Sequence, residues 1–187
     1  MSEENKPKRP RIQQTTMGTI IEDPDAYGQN LCSPNAKKIN GFEENLSIHF
    51  WIDKHYHNRD LHGDENGKRE GIGLEYIEPL VAKSFSHLLF YSSKHKKFAF
   101  ANHKSSIGGR RFRITLKEVS TTEQTLNVIA EYHYLQHNCF EVTVITAMRK
   151  DDFYFSNGDY GLEFNDDYSQ LILNDRNNYV VIDEYTL

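Results

Sequence analysis

Two runs of strict alternation, separated by a short polar turn, constrain this chain more than any other feature. Leu126, Val128, Ala130 and Tyr132 alternate with Ile129, Glu131 and His133. After Gln136-His137-Asn138, Phe140, Val142 and Val144 alternate with Glu141, Thr143 and Ile145. A period of two places one set of side chains in a core and the other on the opposite sheet face. Two earlier runs behave the same way. One is Phe98-Ala99-Phe100-Ala101, and the other is Arg111-Phe112-Arg113-Ile114-Thr115-Leu116-Lys117. Four antiparallel strands, roughly 97–102, 111–119, 126–135 and 139–148, are therefore expected, joined as hairpins.

Two helices are expected ahead of this meander. Leu46, Trp51, Ile52 and Leu61 form the apolar side of the first, capped by Asn45 or Ser47 and ending near Gly63. Ile77, Leu80, Val81, Phe85, Leu88 and Leu89 mark the second. Pro79 is tolerable only in a first turn, so this helix should start between Glu75 and Glu78. The expected fold class is α+β, with two N-terminal helices packed on one face of a four-stranded antiparallel sheet and the other face open. Residues 1–41 read as a flexible leader, 42–150 as the folded domain, and 151–187 as an acidic C-terminal appendage with short strands.

Charge is spread unevenly. The net charge is −5, but residues 46–150 carry 15 basic and 11 acidic groups, and residues 151–187 carry 1 and 9. From Lys94 to Lys117 there are eight lysines and arginines, two histidines and no acid. The alternation puts Arg111, Arg113, Thr115 and Lys117 side by side, with Phe112, Ile114 and Leu116 inward. A β-surface so charged suits a polyanion, and phosphate backbone is the commonest. Lys94, Lys96, Lys97, Lys104, Arg110 and Lys117 are the expected RNA-binding residues. A lysine-protected edge strand accounts for the same pattern without a ligand.

Four of the nine histidines, His49, His55, His57 and His62, fall within one short segment. On a helix, His55 and Arg59 share a face. An imidazole beside a guanidinium can move a proton while charge on a phosphorane is neutralised. Hairpin pairing brings Arg111 and Arg113 near Glu131 and His133, with Thr143 on the next strand. These groups can supply base, acid and donors together, although cross-strand ion pairs explain them equally. The expected catalytic set is His55, Arg59, Arg111, Arg113, His133 and Thr143. No zinc spacing is present, and neither metal nor cofactor is expected. Two cysteines, Cys32 and Cys139, make no framework, which points to a reducing, cytoplasmic setting. Neither a secretory signal nor a membrane-spanning run is expected.

The order His55-Tyr-His-Asn-Arg59, a charged loop, Gly71-Ile72-Gly73 leading a second helix, basic strands and a final Val142-Thr143-Val144-Ile145-Thr146 strand resembles a known group. It is similar to the small barnase/EndoU/colicin/RelE-like ribonucleases, in particular their phage- and toxin-associated branch, over roughly residues 46–150. The resemblance implies a metal-independent endoribonuclease in a toxin or phage/defence setting, using the RNA 2′-OH as nucleophile. Its HxxxR pair falls on His55 and Arg59, its strand bases on Arg111 or Arg113, and its last-strand hydroxyl on Thr143 or Thr146. The expected partners are RNA and a cognate inhibitor protein. Two departures stand out: the loop 63–70 is long, and the acidic end has no counterpart. They leave room for a non-catalytic RNA- or protein-binding module, or for an inhibitor whose acidic segment imitates nucleic acid.

Overall fold

The structure, a computed structural model, describes residues 27–43, 46–57, 71–103 and 111–186. It overturns the expected architecture. Instead of two helices on a four-stranded antiparallel sheet, the described residues form one nine-stranded mixed sheet crossed by a single long helix. The strands are β1 (Ala36–Glu43), β2 (Ser47–Asp53), β3 (Ala101–Asn102), β4 (Ile114–Glu118), β5 (Leu126–Gln136), β6 (Cys139–Arg149), β7 (Tyr160–Asn165), β8 (Tyr168–Asp175) and β9 (Asn178–Thr186). The helix α1 spans Leu74–Lys94.

The segment read as the first helix begins as a strand. In Ser47-Ile-His-Phe-Trp-Ile-Asp53, Ile48, Phe50 and Ile52 are buried, and their neighbours point the other way. β-branched and aromatic residues at a period of two favour this state over a helix. Helical structure starts only at residue 54, after β2. Tyr56 there is buried and hydrogen bonds through its hydroxyl to the Ile72 carbonyl.

The strand order is β1-β2-β6-β5-β4-β7-β8-β9. The β5–β6 hairpin forms as expected, closed by Asn138 in the left-handed region at φ 52. β2 joins β6 in parallel, with Trp51 level with Thr143. β4 pairs with both β5 (antiparallel) and β7 (parallel). The two residues of β3 run parallel to β5 at Tyr132 and His133, beyond the end of β4. Residues 160–186, expected as an appendage, thus extend the central sheet, and residues 36–41, expected in the leader, belong to β1.

α1 buries Ile77, Leu80, Val81, Ser84, Phe85, His87, Leu88 and Tyr91. It starts at Leu74, a little earlier than expected, so Pro79 sits in its second turn. Phe85 meets the rings of Phe100, Tyr132 and Phe140 edge-on. Ser84 Oγ lies 3.0 Å from the Tyr132 hydroxyl, giving that buried oxygen a partner. This core also holds Ile48, Phe50 and Ile52 of β2, Val142 and Val144 of β6, Val128 of β5, Ile114 and Leu116 of β4, and Leu162 and Phe164 of β7.

The opposite sheet face is not open. Residues 30–32 lie over β5 and β6, tied to them by contacts described below. Phe155 lies over β7, at 5 % exposure. A Cβ on Gly161 would come within 2.7 Å of its ring, so glycine is what lets the ring close on the strand. Phe155 also stacks on Tyr179 at 4.7 Å, and its carbonyl accepts from Asn174 Nδ2.

Candidate functional site

On this second face the alternation of β5 has a chemical consequence. Glu131 and His133 leave the chain on the same side, and β4 approaches from one flank with Arg113 and Arg111 just before it. Glu131 is fully buried, and one imidazole and two guanidiniums share it. His133 Nε2 lies 2.9 Å from Oε1, Arg111 Nη1 3.4 Å from Oε1, and Arg113 Nε 3.3 Å from Oε2. Burial pushes the Glu131 carboxyl up. The bond and charge of His133, with Arg113 and Arg111 added, outweigh burial and hold it below the ordinary carboxylate value. One buried anion therefore anchors two permanent cations, and Glu141 of the next strand brings a second carboxylate to the same face.

The guanidiniums are only half covered, Arg111 at 52 % and Arg113 at 51 % side-chain exposure. Between them stands Phe112, which is exposed rather than inward, at 45 %. Its placement has a cause the alternation did not reveal. The chain enters β4 beside β3, and Asn102 of β3 holds the Phe112 peptide. Asn102 Oδ1 accepts from Phe112 N–H at 2.8 Å, and Asn102 Nδ2 donates to the Phe112 carbonyl at 3.0 Å. The same Nδ2 donates to the Tyr132 carbonyl at 3.0 Å. Asn102 was missed because a lone asparagine after Phe-Ala-Phe-Ala has no motif.

Residues 30–32 close the site from the N-terminal side. Asn30 Nδ2 donates to Thr143 Oγ1 at 2.7 Å, and Leu31 N–H donates to Glu141 Oε1 at 2.8 Å. Arg111 Nη1 donates to the Cys32 carbonyl at 2.8 Å. Asn30 Oδ1 turns the segment by accepting from Cys32 and Ser33 N–H. Burial and the nearby Glu131 charge push the Cys32 thiol up to about 12, so it stays protonated and inert. Beside Thr143, the Trp51 indole N–H is buried with no hydrogen-bond partner.

Of the expected catalytic residues, Arg111, Arg113 and His133 meet at Glu131, and Thr143 stands one strand away, level with Glu131. His55 is exposed on the helical turn after β2, its N–H capped by Asp53, and no described hydrogen bond or ion pair links it to this cluster. Arg59 lies outside the described residues, as do Lys104 and Arg110. The expected RNA-binding lysines do not share one surface. Lys94 ends α1 and pairs with Asp183 at 2.6 Å on the helix side, followed by exposed Lys96 and Lys97. Lys117 is buried and pairs with Glu163 at 3.1 Å. Among the described residues, no group of three His, Cys, Asp or Glu side chains is placed to hold a metal ion, and no helix is long and apolar enough to cross a membrane. Comparison with protein-family models, with curated proteins and with solved structures returns no match for the chain.

Proposed function

We propose that the protein is a non-catalytic module that binds single-stranded RNA through Arg111, Phe112 and Arg113. The observation that carries this reading is the display of those three side chains. Two half-exposed guanidiniums, held in place by one buried carboxylate, belong to the chain neighbours of an exposed aromatic residue. Guanidinium forks suit phosphate oxygens, and an aromatic face stacks on any base. The clamp from Asn102 fixes the backbone between them, so little ordering remains for the moment of binding.

An RNA that is retained, released by salt and recovered intact in EDTA supports the proposal. Absence of retention at low salt, or retention unchanged by Arg111→Gln with Arg113→Gln, contradicts it.

A metal-independent endoribonuclease of the toxin or phage/defence kind is the second reading. It rests on the His133–Glu131 contact, in which a carboxylate orients an imidazole, and on the family resemblance. In that scheme His133 moves a proton, Arg111 and Arg113 neutralise the phosphorane, and Thr143 orients. His55 enters as a further general base or acid, and Arg59 as a further phosphate-binding group. His133 is 6 % exposed, so a substrate phosphate would reach it only after the segment over the cluster moved. This is why binding without cleavage is preferred. RNA fragments that appear in EDTA with the intact protein and vanish with His133→Ala favour the nuclease.

A further inference from the structure

The last strand of the sheet is an unguarded edge. Among the described residues, β9 pairs only with β8, and no described strand lies on its other side over the nine residues Asn178–Thr186. It contains no proline and no lysine, the residues that usually blunt such an edge. Val180, Val181 and Ile182 are exposed at 43, 48 and 37 %. Because successive residues point to opposite sheet faces, this run is apolar on both sides of the strand.

We propose that β9 pairs with β9 of a second copy of this chain, antiparallel about a two-fold axis, so that two sheets join into one. Three features select this occupant. First, the other edge is defended by lysine, which β9 lacks: β1 carries Lys37 and Lys38. One open edge per chain gives a closed pair rather than a fibre. Second, charge along β9 is polar in direction. Arg176 lies in the turn just before it, and Asp183 and Glu184 lie near its far end. Antiparallel pairing centred near Val180 sets Arg176 of one copy toward the acids of the other, whereas parallel pairing stacks acid on acid. Third, the bulge in the β8–β9 register falls at Ile182, since Val181 pairs Ile172 and Asp183 pairs Leu171. The valines therefore occupy the regular part of the strand, which a neighbour can extend by main-chain hydrogen bonds.

The experiment is sedimentation equilibrium of the full chain over a wide concentration range. The proposal expects the mass to rise from 21.9 kDa toward twice that value as concentration increases. Val181→Lys places a charge on the edge without touching the core and should weaken association roughly tenfold or more. Arg176→Glu, in an exposed turn, should weaken it in the same direction. Circular dichroism melts verify that both variants stay folded. A monomer at every concentration, or a dimer that both substitutions leave unchanged, overturns the proposal.

Discussion

Asn102 holds Phe112 by both ends of its peptide, accepting from the N–H at 2.8 Å and donating to the carbonyl at 3.0 Å. The side-chain amide takes the place of a missing strand residue, because β3 is two residues long and stops there. Asn102→Ala leaves the buried Tyr132 carbonyl and the part-buried Phe112 peptide groups without these partners. The expected cost is about 1–3 kcal/mol of stability, read as a lower urea midpoint with an unchanged slope. A midpoint equal to that of the unmodified protein would mean that water replaces the amide.

Glu131→Gln keeps the size of the side chain and removes the charge that His133, Arg111 and Arg113 share. Losing one member of a buried ionic cluster typically costs about 3–5 kcal/mol; the exposure of both guanidiniums places this case at the lower end, about 3 kcal/mol. The pH dependence changes as well. Glu131 in the fold lies below its ordinary value of 4.5. Its stabilisation is therefore present above that pH and is lost as pH falls through the lower folded value. Chemical denaturation at a series of pH values should show that acid limb in the unmodified protein and a shallower one in the variant.

His87 supplies a second, separable acid limb. It is fully buried, with Nδ1 2.7 Å from Ser169 Oγ and Nε2 lacking a partner. Burial first, then the Lys83 charge, lower its pKa from the ordinary 6.5. The folded protein thus resists protonation that the unfolded chain accepts, and stability falls as pH drops below 6.5 toward the lower folded value. His87→Gln should flatten the fall in stability just below pH 6.5 while leaving the Glu131 limb at more acid pH. An unchanged slope in that window would assign it to other groups.

Gly161→Ala tests the second cover of the polar face. The added methyl group meets the Phe155 ring at 2.7 Å. The ring stacks on Tyr179 and is held through its carbonyl by Asn174, so it cannot retreat freely. The expected loss is about 1–3 kcal/mol. Gly161→Ala in a Phe155→Ala background should cost clearly less than in the intact protein, a coupling that a double-mutant cycle measures.

The part of this fold that was legible in the sequence is the part made by local pairing. The alternations of 126–135 and 139–148 became β5 and β6, that of 111–117 became β4 only from Ile114 onward, and the neighbourhood of Arg113, Glu131 and His133 followed from them. The helix face from Ile77 to Leu88 was also readable, because its apolar spacing is dense. What failed was non-local. Nothing in Ser47–Asp53 states that it will lie parallel to β6, and its alternation was hidden by choosing Trp51 with Ile52 as a helical stripe. The acidic end looked like an appendage because charge was weighed above pattern. Its Asp166-Asp167 and Arg176-Asn177 turns, with positive φ at Asp166, Arg176 and Asn177, are tight hairpin turns. Removing 151–187 therefore removes three strands of the sheet, and such a truncation reports on folding before it reports on function. The basic stretch was over-read as one surface: Lys94 and Lys117 answer to Asp183 and Glu163 on opposite faces of the sheet.

The most direct measurement is the salt dependence of fluorescence anisotropy for a labelled single-stranded oligoribonucleotide, with EDTA present. Two phosphate contacts should give a slope of log K against log salt near −1.4. Arg111→Gln and Arg113→Gln should each reduce its magnitude by about 0.7, and Phe112→Ala should weaken binding by about 1–3 kcal/mol without changing the slope. A binding constant indifferent to all three substitutions would contradict the account.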